Sequence, residues 1–180
     1  MRAAERRLRA GELALRIAVL GLGLTAAALV GSDSQVRRIF SLEKRARFTD
    51  MKVLVFVVVA NGVAAGYSLL QALRCVVGAM RGYVVLNKVL AWIIFSCDQV
   101  MAYVLLSAMA AAAQASVLGQ FGQPELQWIK TCELYKKFCK QVGEGLGSAF
   151  VGSMAMIMVT CISAFNLFRL YGSKNSNGGW

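Results

Sequence analysis

An aspartate in an apolar setting, Asp98, is the residue of this sequence with the strongest potential for chemistry. Apolar residues flank it at positions 92–95 and 100–101, and a carboxylate inside a membrane segment costs several kcal/mol unless it is paired or protonated. Arg16, inside another apolar segment, is the natural counter-charge. These residue types indicate either a buried ion pair that fixes which helix faces which, or a relay for protons or ions.

The depths of the two charges restrict how they can meet. At about 1.5 Å per helical residue, Asp98 lies deeper in its segment than Arg16 does. Direct contact then requires a shift in register or an intervening polar group such as Asn61. We favour the structural ion pair, because one acid and one base do not make a pathway and no further acid is expected inside the membrane.

Catalytic and metal chemistry find little support in the composition. The chain has no histidine, which is the usual general base and the commonest metal ligand. Three cysteines, Cys75, Cys97 and Cys161, lie in or beside apolar segments, while Cys132 and Cys139 share a polar loop. None has the C-x2-C spacing of a zinc site. The sequence therefore predicts no catalytic residue, no metal site, no cofactor and no enzymatic activity.

The elements that position these residues are predicted to be membrane helices. Hydrophobic residues make up 58% of the 180, the mean hydropathy is +0.58, and the apolar residues form long runs, which excludes an ordinary soluble domain. The net charge is +11, but the basic residues flank the apolar runs, where they anchor helices against lipid headgroups. The expected partner is the lipid bilayer and not nucleic acid.

Four runs provide the roughly 20 residues that a spanning helix needs. The predicted spans are 13–30, 53–73, 89–113 and 146–168 within a membrane domain 13–168, with a basic N-terminus 1–12, outer loops 31–52 and 114–145, and a tail 169–180. The predicted fold class is an all-α bundle of four transmembrane helices. A cleaved signal peptide is the alternative for the first run, but this run is longer than a typical signal core and contains Arg16.

An even number of spans places both termini on one side of the membrane. Basic residues divide almost evenly between the two sides, but the inner segments are shorter and carry fewer acids, which favours cytoplasmic termini. The cysteine pair of the second outer loop suits an oxidising exterior.

Small residues four positions apart could let helices approach closely. The three pairs are Gly62 with Gly66, Ala108 with Ala112, and Ser148 with Gly152. Because this pattern is common by chance in apolar segments, we favour packing within the bundle over a dimer interface.

The second outer loop has the periodicity of a short extracellular amphipathic helix. Trp128, Cys132, Tyr135, Cys139 and Val142 fall on one helical face, which could lie on the bilayer or on the bundle. In a continuous helix the two cysteines would be about 10 Å apart, too far for a disulfide. A bridge therefore requires a break in the helix. We favour the bridge, and two reduced cysteines packed on an apolar face remain the alternative.

Several motifs together resemble the plant Casparian strip membrane protein family, specifically its CASP-like branch. They are 15–16, Asp98 with Gln99, the alanine-rich 107–113, Gly122, Trp128, Cys132, 138–139, 148–150, 163–165 and Arg169. Founding members of the family carry a Glu-Ser-Leu-Pro stretch in the first outer loop, and 31–52 of this chain has no proline. The resemblance is therefore to the wider family, and the first outer loop is expected to be a solvated, charged segment, with a specific partner site as the alternative.

The resemblance implies a fold and a function. The family is similar in organisation to MARVEL-type tetraspans, with four spans and cytoplasmic termini in the plasma membrane. It implies that Arg16 and Asp98 are paired intramembrane charges and that Cys132 and Cys139 are the outer-loop cysteines. It also implies scaffolds that form homodimers, heterodimers and larger oligomers with related tetraspans and that recruit cell-wall enzymes. The rival hypothesis is a small transporter or channel component that uses Asp98 as its ion or proton site.

Overall fold

The computed structural model describes residues 2–32, 34–39, 42–47, 49, 51–81, 88–122 and 131–172. Its long helices are α1 (Arg2–Gly31), α2 (Lys52–Arg81), α3 (Lys88–Phe121) and α5 (Lys136–Gly172). A single turn, α4 (Thr131–Leu134), precedes α5, and the strands β1 (Ser34–Ile39) and β2 (Leu42–Arg47) lie between α1 and α2.

Each long helix contains a stretch that is long and apolar enough to cross a membrane. These stretches are Ala10–Gly31, Lys52–Gly78, Val89–Phe121 and Lys136–Arg169. Large apolar side chains cover the outside of the helices, for example Leu70 and Phe168, as expected where the solvent is lipid. The predicted fold class, an all-α protein with four transmembrane helices, is confirmed.

The four long helices form a closed ring in the order α1, α2, α3, α5. The buried face of α3 repeats every three or four residues, which is the period of one helical face. Its members are Ala91, Ile94, Asp98, Ala102, Leu105, Ala108 and Ala112. We call the end of the ring where α1 begins and α5 finishes the terminal end, and the opposite end, with the strands and α4, the loop end.

The helices at the loop end extend further than the sequence predicts. Helix α3 continues to Phe121, and α5 begins at Lys136 and not near 146. The predicted amphipathic helix is therefore not a separate element, because Tyr135 and Val142 of its predicted apolar face are buried in the same core as α5. Trp128 and the tail 173–180 lie outside the described residues.

The first outer loop contains an antiparallel hairpin, which its charged composition does not predict. Strand β1 pairs with β2 in a register that runs from Ser34 opposite Arg47 to Ile39 opposite Leu42. Strand β1 also lies beside α5. The hairpin thus belongs to the loop end and leaves the membrane part of the fold entirely helical.

Candidate functional site: a buried charge cluster

The two predicted charges meet inside the bundle. Arg16 Nη1 donates to Asp98 Oδ1 at 3.2 Å, and Arg16 Nη2 donates to Asp98 Oδ2 at 3.0 Å, a two-point contact between a guanidinium and a carboxylate. Both side chains are 0% exposed. The pair holds α1 and α3 in one arrangement, because separating the groups would leave each charge uncompensated in apolar surroundings.

Arg16 and Asp98 contact each other directly, and Asn61 does not bridge them as the sequence suggested. Asn61 is buried, but its Nδ2 donates to Val57 O of its own helix at 2.9 Å. Arg16 and Asp98 lie about 9 Å and about 14 Å from the starts of their spans. A long arginine side chain covers an offset of this size, so no intervening group is needed.

Two further helices reach the same carboxylate. Tyr67 OH on α2 donates to Asp98 Oδ1 at 2.7 Å, and Ser163 Oγ on α5 donates to Asp98 Oδ2. The Tyr67 ring centroid lies 6.0 Å from the guanidinium carbon of Arg16, within cation–π range. Thr160 adds a hydrogen bond from its Oγ1 to the backbone oxygen of Asp98 at 3.3 Å. All four long helices therefore meet at one aspartate.

A second acid also belongs to this site. Glu12, one turn before Arg16, is 8% exposed, and its Oε1 accepts from Arg16 Nε and Nη2, each at 3.1 Å. The expectation of a single intramembrane acid was therefore wrong, because the span starts at Ala10 and includes Glu12. The spacing of four residues from Arg16 is the sequence signal that could have identified it. We call Glu12, Arg16, Tyr67, Asp98 and Ser163 the charge cluster.

The hydrogen bonds that the Asp98 carboxylate accepts are typical of a structural role. Its two oxygens accept four hydrogen bonds, two each, from Arg16, Tyr67 and Ser163. That number fills the acceptor sites of a carboxylate. A substrate or a moving ion would have to displace one of these donors before it could bind there.

A row of polar side chains continues from the charge cluster along α2. Ser68, Gln71 and Arg74 are spaced three residues apart, which keeps them near one helical face. Four of their buried polar atoms have no hydrogen-bond partner: Ser68 Oγ, Gln71 Oε1, and Arg74 Nε and Nη1. Such atoms are costly in an apolar interior, so this row is the part of the site that water or an ion would stabilise most.

The predicted cysteine pair lies at the loop end. Cys132 and Cys139 form a disulfide with a Cα–Cα distance of 5.6 Å. The helix breaks at Tyr135, between α4 and α5, which provides the kink that a bridge over seven residues requires. A side chain at Gly119 of α3 would begin 3.6 Å from Cys132 Sγ, so the disulfide packs against the end of α3.

The predicted small-residue pairs have different surroundings. Ala108 and Ala112 are buried in the core, and Ser148 and Gly152 face Leu22 of α1, with Ser148 Oγ donating to Leu22 O at 3.0 Å. Gly62 and Gly66 are exposed, and a Cβ added at either would meet nothing within 4 Å. The α2 pair therefore does not pack inside the bundle, contrary to the preferred interpretation of its sequence.

Sequence reasoning missed the closest helix contacts. A Cβ at Gly145 would lie 2.7 Å from Val30 Cγ2, and one at Gly23 would lie 3.1 Å from Asn61 O. Each of these glycines has a small residue four positions later, Ala27 and Ala149, so the spacing was present in the sequence but was not singled out. Gly143 and Gly147 also form an outward pair on α5, and it lies beside the exposed ion pair of Lys140 and Glu144.

Within the part of the chain that the structure describes, no three Cys, Asp or Glu residues are close enough together to hold a metal ion.

Four transmembrane helices joined at one buried charge cluster define the chain as a multi-pass membrane protein. The family model described as the Casparian strip membrane protein domain matches residues 5–155. The chain therefore belongs to this family, and the resemblance predicted from its sequence is confirmed.

Relatives from several plants cover almost the whole chain. A CASP-like protein 2B1 of Vitis vinifera is 59% identical over 180 residues, covering 99% of this chain and 89% of the relative. A CASP-like protein 2B2 of Arabidopsis thaliana is 53% identical, covering 98% and 88%. A CASP-like protein 2BC2 of Picea sitchensis is 53% identical, covering 97% and 74%. No solved structure matches the chain.

Proposed function

We propose that this chain is a non-enzymatic tetraspan of the plasma membrane that associates with itself and with related tetraspans to form a scaffold. Both termini face the cytoplasm in this proposal, and the disulfide faces an oxidising exterior, which is where such bonds persist. The scaffold would organise local cell-wall modification by holding wall enzymes in place. The observation that carries the proposal is the outward, unfilled surface of α2 at Gly62 and Gly66.

The surface of α2 suits close contact with a second helix. In lipid, helices associate by packing and not by the hydrophobic effect, so backbones must approach closely. Gly62 and Gly66 leave a shallow groove, and exposed Val59, Val63 and Leu70 provide ridges beside it. The other outward glycine pair, on α5, has the charged Lys140 and Glu144 beside it, so it is less suited to an apolar contact.

Replacing both α2 glycines by leucine tests the proposal. Because an added Cβ meets open space at both positions, G62L/G66L should fold normally but lose close contact with a second copy. We expect the dissociation constant for self-association, obtained from the number of copies per nanodisc counted by single-molecule photobleaching, to rise about tenfold, equivalent to about 1.4 kcal/mol. In a plant cell, fluorescence recovery after bleaching should change from slow to rapid.

Gly21→Leu is the matched control, because Gly21 is also outward, with nothing within 4 Å of an added Cβ, but lies on α1. It should associate as the unchanged chain does. A G62L/G66L protein that associates normally, or an unchanged chain that is monomeric and recovers rapidly and uniformly, would refute the scaffold.

A second candidate, a small transporter or channel component, is favoured by one observation. The unpartnered buried atoms of Ser68, Gln71 and Arg74 extend from the charge cluster along α2, as a polar pathway would. D98N separates the candidates: a transporter would lose ion or proton flux in liposomes while remaining assembled. A structural ion pair would lose assembly or trafficking. We expect the second result, because the protein already fills the acceptor sites of Asp98.

A further inference from the structure

An open cleft lies between α1 and α5 near the terminal end. Its volume is about 280 Å³, and it is lined by Leu8 of α1 and by Cys161, Ile162 and Phe165 of α5. Cys161 and Phe165 are exposed, so the cleft opens toward the lipid. An added Cβ at Gly11, one turn after Leu8, would meet nothing within 4 Å. Because an unfilled apolar cleft loses dispersion contacts, an acyl chain of the surrounding lipid would stabilise it.

Two exposed arginines lie at the end of the cleft that is nearest the membrane surface. Arg169 follows Phe165 by four residues, so both lie on the same face of α5. It is also the last residue of the membrane-spanning stretch of that helix. Arg7 directly precedes Leu8 in α1, and both arginine side chains are exposed. The cleft therefore has a cation on each of its two helices.

The two arginines lie at nearly the same depth. Gly152 of α5 lies against Leu22 of α1, and the two helices run in opposite directions. Counted from this contact toward the terminal end, Arg7 is about 23 Å away and Arg169 about 26 Å away. Cys161 lies about 12 Å deeper in the membrane than Arg169. The site thus combines an apolar part inside the membrane with a cationic part at its surface.

Charge and the side of the membrane select the occupant. In the topology of the proposed function, on which this inference rests, the terminal end faces the cytoplasm, and the cytoplasmic leaflet carries anionic lipids that attract basic residues. Arginine binds phosphate and carboxylate groups through paired hydrogen bonds. A sterol offers neither group. A second copy of the chain in a symmetric contact would bring the same cations together.

We propose that this cleft binds one anionic glycerophospholipid of the cytoplasmic leaflet. One acyl chain lies in the apolar part, against Leu8, Cys161 and Phe165, and the anionic headgroup lies between Arg7 and Arg169. The bound lipid joins α1 to α5 at the terminal end. The headgroup contribution is electrostatic, so it weakens as salt is added.

Native mass spectrometry of the purified full-length chain in neutral detergent micelles tests the proposal. The probes are phosphatidylserine and phosphatidylcholine with identical acyl chains. We expect one phosphatidylserine to bind, about tenfold more tightly than phosphatidylcholine.

Two substitutions separate the headgroup from general positive charge. R7Q/R169Q should lower the affinity for phosphatidylserine to that for phosphatidylcholine. R81Q/K88Q removes the same formal charge at the terminal end, but from the end of α2 and the start of α3, across the ring. Its affinity for phosphatidylserine should stay within about twofold of that of the unchanged chain.

A third variant tests the apolar part and keeps every charge. Cys161→Phe fills the cleft from an exposed position, so it should weaken binding of both lipids about tenfold, because it displaces buried methylene groups of the chain. Val100→Phe, at an exposed position of α3, is the matched control and should leave both affinities unchanged.

The proposal is overturned if the two lipids bind equally, if R81Q/K88Q loses as much affinity as R7Q/R169Q, if Cys161→Phe binds as the unchanged chain does, or if a plant sterol displaces bound phosphatidylserine. Micelles have no cytoplasmic side, and self-association is measured separately with G62L/G66L. A chain that associates but shows no preference for phosphatidylserine would therefore refute this inference alone.

Discussion

At the terminal end of the ring, four helices converge on the buried carboxylate of Asp98, whereas at the loop end α1 and α5 meet through small residues and a disulfide joins α4 to α5. The first end uses hydrogen bonds between charged and polar side chains, all inside the bundle. At the second end, Gly145 lies against Val30, and Gln141 Nε2 donates to Leu29 O at 2.9 Å.

The difference shows two ways to give an apolar bundle a single arrangement. Lipid is as apolar as the helix surfaces, so burial of apolar residues does not select neighbours. The charge cluster determines which helices are adjacent, because any other pairing leaves a buried charge uncompensated. Close packing at the loop end determines how near they come, because dispersion contacts act only at short range. Substitutions at the two ends should therefore have separate effects.

The largest effect is expected from breaking the charge cluster on one side. Arg16→Met leaves Asp98 and Glu12 without their cation, which should lower the free energy of unfolding by about 3–5 kcal/mol. The measurement is unfolding in mixed micelles with increasing denaturing detergent. R16M/D98L should recover part of the loss, because it also removes one uncompensated acid.

The control is Lys140→Met, which removes an exposed ion pair at 4.0 Å and should cost about 0.5 kcal/mol or less. Equal losses for Arg16→Met and Lys140→Met would contradict the role of the cluster.

A smaller effect is expected from filling the closest helix contact at the loop end. Gly145→Ala places a Cβ 2.7 Å from Val30 Cγ2, which forces α1 and α5 apart and should cost about 2–3 kcal/mol in the same assay. Gly143→Ala, on the same helix with nothing within 4 Å of its Cβ, should be neutral or stabilising. Val30→Ala should restore part of the stability of Gly145→Ala. Equal effects of the two glycine substitutions would show that the contact is not tight.

Removing the disulfide should have a local effect. C132S/C139S releases a short closed loop, which should cost about 2 kcal/mol. Hydrogen exchange should become faster in 131–142 but stay unchanged around Asp98, because the cluster holds its own end of the ring. Faster exchange at both ends would mean that the two ends are not independent.

The smallest effect in this series is expected for Tyr67→Phe. The change removes one hydrogen bond to Asp98, 2.7 Å long, and keeps the ring beside Arg16. The expected loss is about 1 kcal/mol by detergent unfolding. In a double-mutant cycle, Tyr67→Phe should show coupling to D98N and none to Gly145→Ala. Additivity with D98N would mean that this hydrogen bond contributes nothing to stability.

Sequence reasoning was most successful where a residue type conflicts with its surroundings. Asp98 and Arg16 are costly in apolar segments, so each implies a partner. The sequence therefore identified both residues as members of the site. Tyr67 and Ser163 are tolerated in such segments with or without a partner, so nothing in the sequence marks them. Glu12 was overlooked because its segment is basic and the helix start was placed after it. The outward direction of Gly62 and Gly66 could not be predicted, because spacing alone does not say which face of a helix is covered.

The sequence by itself determined that the chain crosses a membrane four times, because the cost of exposing backbone or charge to lipid depends on local composition and segment length. It also determined the family, through motifs distributed over most of the chain. Only the tertiary structure decided that a single carboxylate joins all four helices and that the α2 glycines face outward. These features depend on the rotation of each helix about its axis, which is fixed by contacts between residues far apart in the chain.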